Sequence, residues 1–387
     1  MPDKNFRLRV LIVGAGLGGL SAAISCAVAG HNVVVLEGAK QLAEVSIKAL
    51  FCKKSAHEFE PQIGAGLQIT PNASRLLRRW GLGDAIDTLA AEPTFLAIHR
   101  YSNGKILAME EDFDVKMRKK YGAPFVDMHR VDLQKSLHAK AVELGVDVRL
   151  GARVSKVDCD AAEIYLESGD KVVGDLVVAA DGLWSRCRES FLSQKDQPLP
   201  TGDLAYRIVL TLDQISDPEL KEWISKPSVH FWIGPGAHAV GYSLRASTMY
   251  NIVLLCPDNL PNDVARQSGS VDEMRELFAG WDPLLTRFLD HVDSVDKWKL
   301  MHRPELESWT NDQGNFVLIG DSCHPMLPYL AQGANSSIED GGVLGRLLGS
   351  VRSQDQLKPA IKLYEQLRKS RSEAIVRETF HQVSADA

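Results

Sequence analysis

The segment that most constrains this chain is the uncharged run from Val10 to Gly30, 21 residues interrupted by glycines at 14, 16, 18 and 19. A run of that length could be a membrane span or a signal sequence, and Lys4, Arg7 and Arg9 ahead of it suit either. The glycines argue against both. They fall where Arg9-Val10-Leu11-Ile12-Val13, a strand-like run, hands over to a small-residue helix, and a second β-branched run, Val33-Val34-Val35-Leu36, follows directly. A buried βαβ unit accounts for the whole stretch. Within it Gly14-Ala15-Gly16-Leu17-Gly18-Gly19 satisfies G-x-G-x-x-G. Gly14 permits the tight turn, Gly16 lets the backbone approach a pyrophosphate, and Gly19 lets helix and strand pack closely, while the helix N-terminus offers amide donors. Glu37 stands 18 residues past Gly19, in the range where an acid accepts from a ribose hydroxyl. Its charge would repel a 2′-phosphate, so the resident nucleotide is expected to be FAD or NAD.

With 387 residues the chain has room for about two to three folding units. Its 44 Lys and Arg against 50 Asp and Glu give a formal charge of −6, which supplies no electrostatic reason to expect a nucleic-acid partner. The 45% hydrophobic and 24% charged fractions exclude long disorder and disulfide-scaffold chains. Six cysteines (Cys26, Cys52, Cys159, Cys187, Cys256, Cys323) lie far apart without a Cys-x-x-Cys pair, so no metal site is expected. Reduced thiols in a soluble, cytoplasmic protein without a membrane partner are the expectation.

Two later motifs decide between the nucleotides. Asp175-Leu176-Val177-Val178-Ala179-Ala180-Asp181-Gly182 is a buried strand running into Asp-Gly, followed by Leu183-Trp184-Ser185-Arg186. Phe316-Val317-Leu318-Ile319-Gly320-Asp321-Ser322-Cys323-His324-Pro325 is another, ending in Gly-Asp; Pro328, Gln332-Gly333-Ala334-Asn335 and Glu339-Asp340 then open a helix. The Asp321 carboxylate can meet a ribityl hydroxyl, and the glycine-rich helix start can present amides to a pyrophosphate or a flavin carbonyl. With its three motifs in this order, nearly the whole chain resembles the single-component FAD-dependent aromatic hydroxylases, the salicylate hydroxylase-like enzymes and their fungal members. The resemblance implies that Glu37 binds the adenosine ribose, that Arg130 in His129-Arg130-Val131-Asp132-Leu133 reaches the flavin side chain, and that Gly320 and Asp321 hold the ribityl or pyrophosphate region. Gly333, Ala334 and Asn335 would lie beside the isoalloxazine, and Asp181 and Gly182 would serve both nucleotides. No second complete fingerprint exists, since Gly81-Leu82-Gly83 reads as a helix end, so NADH or NADPH would visit as a transient reductant. The implied reaction is hydroxylation of a small salicylate- or hydroxypyridine-like aromatic with O2, through a flavin C4a-hydroperoxide kept dry by the protein.

Residues 199 to 255 read as an inserted antiparallel sheet, from the runs Leu204–Leu210, Val229–Ile233, His238–Tyr242 and Tyr250–Leu255. In the enzymes it resembles, this sheet roofs the active site. Tyr206, His230 and His238 are the candidates for deprotonating a phenol, which raises electron density at the reacting ring carbon. Arg207, Trp232, Tyr242 and Pro328 are the candidates for binding it. Alternation forbids Tyr206 and Arg207 from both pointing inward, and no pattern fixes which does. Each histidine could instead be a packed or surface residue. His324, between Gly320-Asp321 and Pro325, reads as packing rather than as the base. A halogenase is disfavoured because no Trp-x-Trp-x-Ile-Pro segment is present.

The chain departs from the family's spacing at Val45 to Gln62. Val-Ser can be encoded GTAAGT and Gln by CAG, so these 18 residues have the ends of an in-frame unspliced intron, and the Val383-Ser384 tail has the same look. Loop closure itself costs little; steric interference with FAD is the larger consequence. Two alternatives to the hydroxylase follow: a mis-spliced chain with impaired FAD binding, and a flavin-dependent epoxidase or oxidative decarboxylase of a fungal secondary metabolite. The expected fold is α/β: a discontinuous Rossmann-like FAD-binding domain (1–75, 125–190, 298–350), an inserted substrate domain (76–124, 191–297) and a C-terminal helical segment (351–387) with an apolar stripe of Ile361, Leu363, Tyr364, Leu367, Ile375 and Val376. A monomer or homodimer is expected.

Overall fold

A computed structural model describes residues 6–42 and 66–385; the 45–62 segment and the last two residues lie outside the described part. The strand Arg9–Val13 runs parallel to Asn32–Leu36 on one side and Leu176–Ala179 on the other. Phe316–Leu318 and Asp147–Arg149 complete a five-stranded parallel sheet. The central strands are almost wholly buried, which is why they read as unbroken Val/Ile/Leu runs rather than as alternation. On this sheet the helix Leu17–Val28 packs against a second one, Gly333–Leu348. Gly341 and Gly345 make that contact: a Cβ on Gly341 would stand 2.5 Å from the Ala22 nitrogen, and one on Gly345 would fall on Ser25. Close approach of the two helices fixes the fingerprint turn relative to the Gly-Asp segment.

A mixed eight-stranded sheet forms the second layer, in the order Arg266–Gly269, Val295–His302, Leu199–Thr211, Met249–Pro257, Ala237–Leu244, Ser228–Gly234, Phe95–Arg100, Ile106–Glu110. All its pairings are antiparallel except that of Phe95–Arg100 with Ser228–Gly234. One face (Leu204, Tyr206, Ile208, Trp232, Tyr250, Ile252, Leu254) is covered by the helices Pro218–Ser225, Val271–Leu277 and Pro283–Asp290. The other carries Ala205, Leu255 and Leu300, which pack on Leu327 beyond the Gly-Asp motif. A two-stranded ribbon, Gly66–Ile69 with Val126–His129, bridges the layers; Pro71–Arg79 and Arg130–Glu143 follow its strands as helices.

The two layers redraw the expected boundaries. Leu77, Trp80, Leu82 and Ile86 are buried in the core of the parallel-sheet layer, so residues 77–86 pack there, while Phe95–Arg100 and Ile106–Glu110 belong to the substrate sheet as expected of that stretch. Position 298 falls inside the strand Val295–His302, which belongs to the eight-stranded sheet. The C-terminal helix spans Leu357–Ala385 with Ile361, Tyr364 and Val376 buried, but Leu363 and Leu367 face solvent and leave the stripe narrower than the sequence suggested. No helix among the described residues is long and apolar enough to cross a membrane.

Candidate active site

Gly14 has φ +102°, and a Cβ there would meet the Ala180 carbonyl oxygen at 2.5 Å, so only glycine fits beneath the Asp-Gly segment. A Cβ on Gly19 would collide with the Gly14 carbonyl, whereas one on Gly16 would meet nothing. Open space at Gly16, beside the start of the helix, is what a pyrophosphate needs. The Glu37 carboxylate accepts from the amides of Ala15 (2.7 Å) and Ala39 (2.8 Å), which holds it against the turn with lone pairs still available for a diol. Gln134 braces the same turn by donating to the Ala15 carbonyl at 2.8 Å. The Asp181 carboxylate accepts from Ser185 Oγ and from the Cys187 amide at 3.0 Å, which ties it to the start of the helix Arg186–Leu192, whose N-cap is Ser185. Gly182 follows with φ +77° and open space around its Cβ position.

Across the cleft, Asp321 is exposed while its backbone neighbours are locked. The Gly320 amide donates to Asp340 Oδ2 at 2.9 Å, His324 Nε2 lies 2.6 Å from the same oxygen, and Arg368 Nε donates to Oδ1 at 2.7 Å. Burial pushes the Asp340 carboxyl up, but His324 and Arg368 more than reverse it and hold it below the usual carboxylate range. His324 is therefore a packed partner of Asp340, as expected. Arg130 is exposed at the first position of its helix. Asn335 is fully buried and spends its amide on the backbone: Oδ1 accepts from the Thr70 amide (3.0 Å) and Nδ2 donates to the carbonyls of Gln68 (2.8 Å) and Ala331. It staples the ribbon to the helix start, leaving Gly333 and Ala334 as the backbone at the helix tip.

On the roof the structure resolves the parity left open by the sequence, and three candidates turn away. Tyr206 is fully buried on the helix-covered face, with Lys297 Nζ 5.5 Å from its ring centre. His230 joins a chain on that face, 3.0 Å from His99 and 2.8 Å from Ser228 Oγ, and burial lowers it to about 3, so it stays neutral. Trp232 donates to Asp282 Oδ2 at 2.7 Å there. Strand alternation explains all three, because the helices claim that face for the core. Arg207, His238 and Tyr242 take the opposite face. Arg207 stacks on Trp298 at 5.0 Å, and burial followed by Arg130 lowers its guanidinium to about 10. His238 stands 5.3 Å from the Tyr329 ring in the turn Pro328–Leu330, whose Pro328 is exposed. Tyr242 is buried behind Gly66, and Asp127 lies close enough to help raise its phenol.

The family model described as "FAD binding domain" matches residues 7–379. The chain belongs to that family. Its relatives include the FAD-dependent monooxygenase OpS4 of Beauveria bassiana (strain ARSEF 2860), 48% identical over 378 residues that make up 97% of this chain and 84% of the relative. A 3-hydroxybenzoate 6-hydroxylase of Polaromonas naphthalenivorans (strain CJ2) is 31% identical, covering 97% and 87%. Among solved structures, CtdE in complex with FAD and substrate superposes with TM-score 0.82 at 22% identity, covering 98% of this chain and 89% of that one, which supports the fold. The protein is thus an FAD-dependent monooxygenase of the aromatic hydroxylase type, and the cradle at Gly16 and Glu37 fits that cofactor. Trp298, Tyr329, Gln134 and Arg368 were missed in the monooxygenase sequence. Of these only Arg368 carried a signal, as a charge inside an apolar helical repeat.

Proposed function

We propose that this monooxygenase hydroxylates a small phenol- or hydroxypyridine-like compound using NADH or NADPH as a transient electron donor, with the substrate seated between the roof and the Gly-Asp loop. The observation that carries it is the facing of the sheet: Arg207 and His238 look toward the loop bearing Asp321, Pro328 and Tyr329, while the helix-covered face holds no exposed base. FAD supplies the activated oxygen when bound. His238 takes the phenolic proton, Arg207 holds the negative oxygen or ring substituent, and Tyr242 closes the wall behind Gly66. Glu37, Arg130 and Asp321 hold the cofactor along the cleft. A role for Asp181 and Gly182 in admitting the nicotinamide rests on the place of Asp181 beside Gly14, with Gly182 next in the chain at a positive φ.

Purified protein is assayed for bound flavin by absorbance, then for NAD(P)H oxidation with hydroxybenzoates and hydroxypyridines, and products are identified. Aromatic-stimulated oxidation with a hydroxylated product supports the reading. Epoxide or decarboxylated product without ring hydroxylation sinks it. His238→Asn should lower kcat roughly 100-fold and remove an acid limb from the pH profile, whereas Tyr206→Phe should leave kcat within about twofold.

A further inference from the structure

Past Glu37 the chain runs through Gly38, Ala39 and Lys40, and a second loop is zipped to it: the Gly151 amide donates to the Ala39 carbonyl and the Ala152 amide to the Glu37 carbonyl, both at 2.8 Å. The next residue of that loop is Arg153. Its guanidinium lies over Gly38, where a Cβ would stand 3.2 Å from Cζ, 3.4 Å from Nε and 3.5 Å from Cγ. The guanidinium thus takes the place that a side chain on residue 38 would fill. Two carboxylates stand nearby, and both are committed elsewhere. Glu37 accepts from the amides of Ala15 and Ala39; Glu167, whose own amide donates to the Arg153 carbonyl at 2.8 Å, pairs its side chain with Arg186 at 2.6 Å. Arg153 is therefore an exposed, planar cation folded back beside the ribose-binding acid, with no carboxylate among the described residues to hold it there.

We propose that Arg153 stacks on the adenine of the bound FAD. The proposal rests on Glu37 holding the adenosine ribose, and the order of groups in the cofactor then fixes the place. With the pyrophosphate at the Gly16 turn and the ribose at Glu37, the base continues past Glu37 on the side away from the turn. The backbone on that side is Gly38, with Arg153 over it. Guanidinium planes stack on the faces of nucleic bases, and the contact needs neither a hydrogen bond nor an opposite charge. Gly38 keeps the space clear, because a side chain there would crowd the guanidinium off the site. Arg153 is in this way a specificity residue for the adenine end of the cofactor, distant from the chemistry.

Ultrafiltration of the FAD-loaded protein over a dilution series tests this, since flavin in the filtrate gives the dissociation constant. Circular dichroism of the same samples establishes that each variant is folded. Arg153→Ala should raise the constant roughly fivefold. Two further variants separate stacking from pairing with a phosphate: lysine keeps the charge without the plane, and tyrosine keeps the plane without the charge. Arg153→Tyr should stay within about twofold of wild type, whereas Arg153→Lys should bind as weakly as Arg153→Ala. A constant unmoved by Arg153→Ala, or one as high for Arg153→Tyr as for Arg153→Lys, overturns the proposal. Glu37→Ala in the same assay tells its failure from that of the ribose placement. If Glu37→Ala leaves the constant unchanged, both fall; if it weakens binding while Arg153→Ala does not, the ribose placement stands and the adenine contact alone is lost.

Discussion

At Glu37 one carboxylate holds two backbone amides of the fingerprint turn and faces the ribose position, so its removal acts twice. Glu37→Ala should weaken FAD binding at least about tenfold in a flavin titration, with Glu37→Gln losing less because its amide oxygen still accepts. Asp127 is the opposite kind of acid: 1% exposed, its carboxyl bonded among the described residues through Gln68 Nε2 at 3.1 Å, and raised well above the ordinary range by burial, with Gln68 opposing. A carboxyl whose folded value is raised contributes stability that is complete below its unfolded value of 3.8 and is lost as pH climbs through the folded one. Asp127→Asn keeps an acceptor for Gln68 without that dependence. It should stabilise the fold at pH 7 by about 1–3 kcal/mol and by progressively less as pH falls toward 4, read by urea denaturation at both pH values. At this scale the sequence was informative where a residue's chemistry is local: glycine in a left-handed turn, an acid after a strand. Asp181 shows the limit, since an aspartate before glycine serves a helix start as readily as a nucleotide, and its bond to the Cys187 amide was not legible in the sequence.

The elements that matter most are joined by charges buried between them. Arg368 on the C-terminal helix, Asp340 on the helix Gly333–Leu348 and the Gly320 amide form one connected group. Removing the guanidinium leaves a carboxylate in the core with, among the described residues, His324 and the Gly320 amide as its remaining side-chain and backbone partners. Arg368→Ala should therefore cost about 3–5 kcal/mol of stability. Arg368→Lys should recover part of that and still bind flavin more weakly than wild type, since a lysine cannot reproduce the bonds to Asp340 and the Ser336 carbonyl together. The strands of the roof were readable from alternation, but alternation fixes only which residues share a face. Whether Tyr206 or Arg207 looks inward depends on Leu220, Leu285 and Phe288, contributed by helices distant in the chain, and nothing within the strand records where those helices land.

For the molecule as a whole, the parallel layer and the roof meet across the cleft that holds the flavin motifs. The segments carrying those motifs are tied behind it by Arg188, which bonds Asp196 and the carbonyls of Pro304, Ser322 and Cys323, and by Arg303, which shares Asp196. A ligand that binds only this assembled state should stabilise it: FAD at about 100 times its dissociation constant adds roughly 2.7 kcal/mol. Stripping the flavin should lower Tm by several degrees, and re-addition should restore it in a thermal scan. The order of the motifs was legible as a whole because each is a strand followed by a glycine turn; the ion clusters uniting them were not, because their members are single charges scattered over the chain. The two helices in close contact at Gly341 and Gly345 have a consequence for synthesis. The first dinucleotide strand leaves the ribosome early, yet its sheet gains its last strand at Phe316–Leu318 and the flavin loop is not locked until Arg368 emerges. A nascent chain thus carries Leu176–Ala179 with an unpaired side for more than a hundred residues of translation, and cofactor loading waits until Arg368 is outside the tunnel.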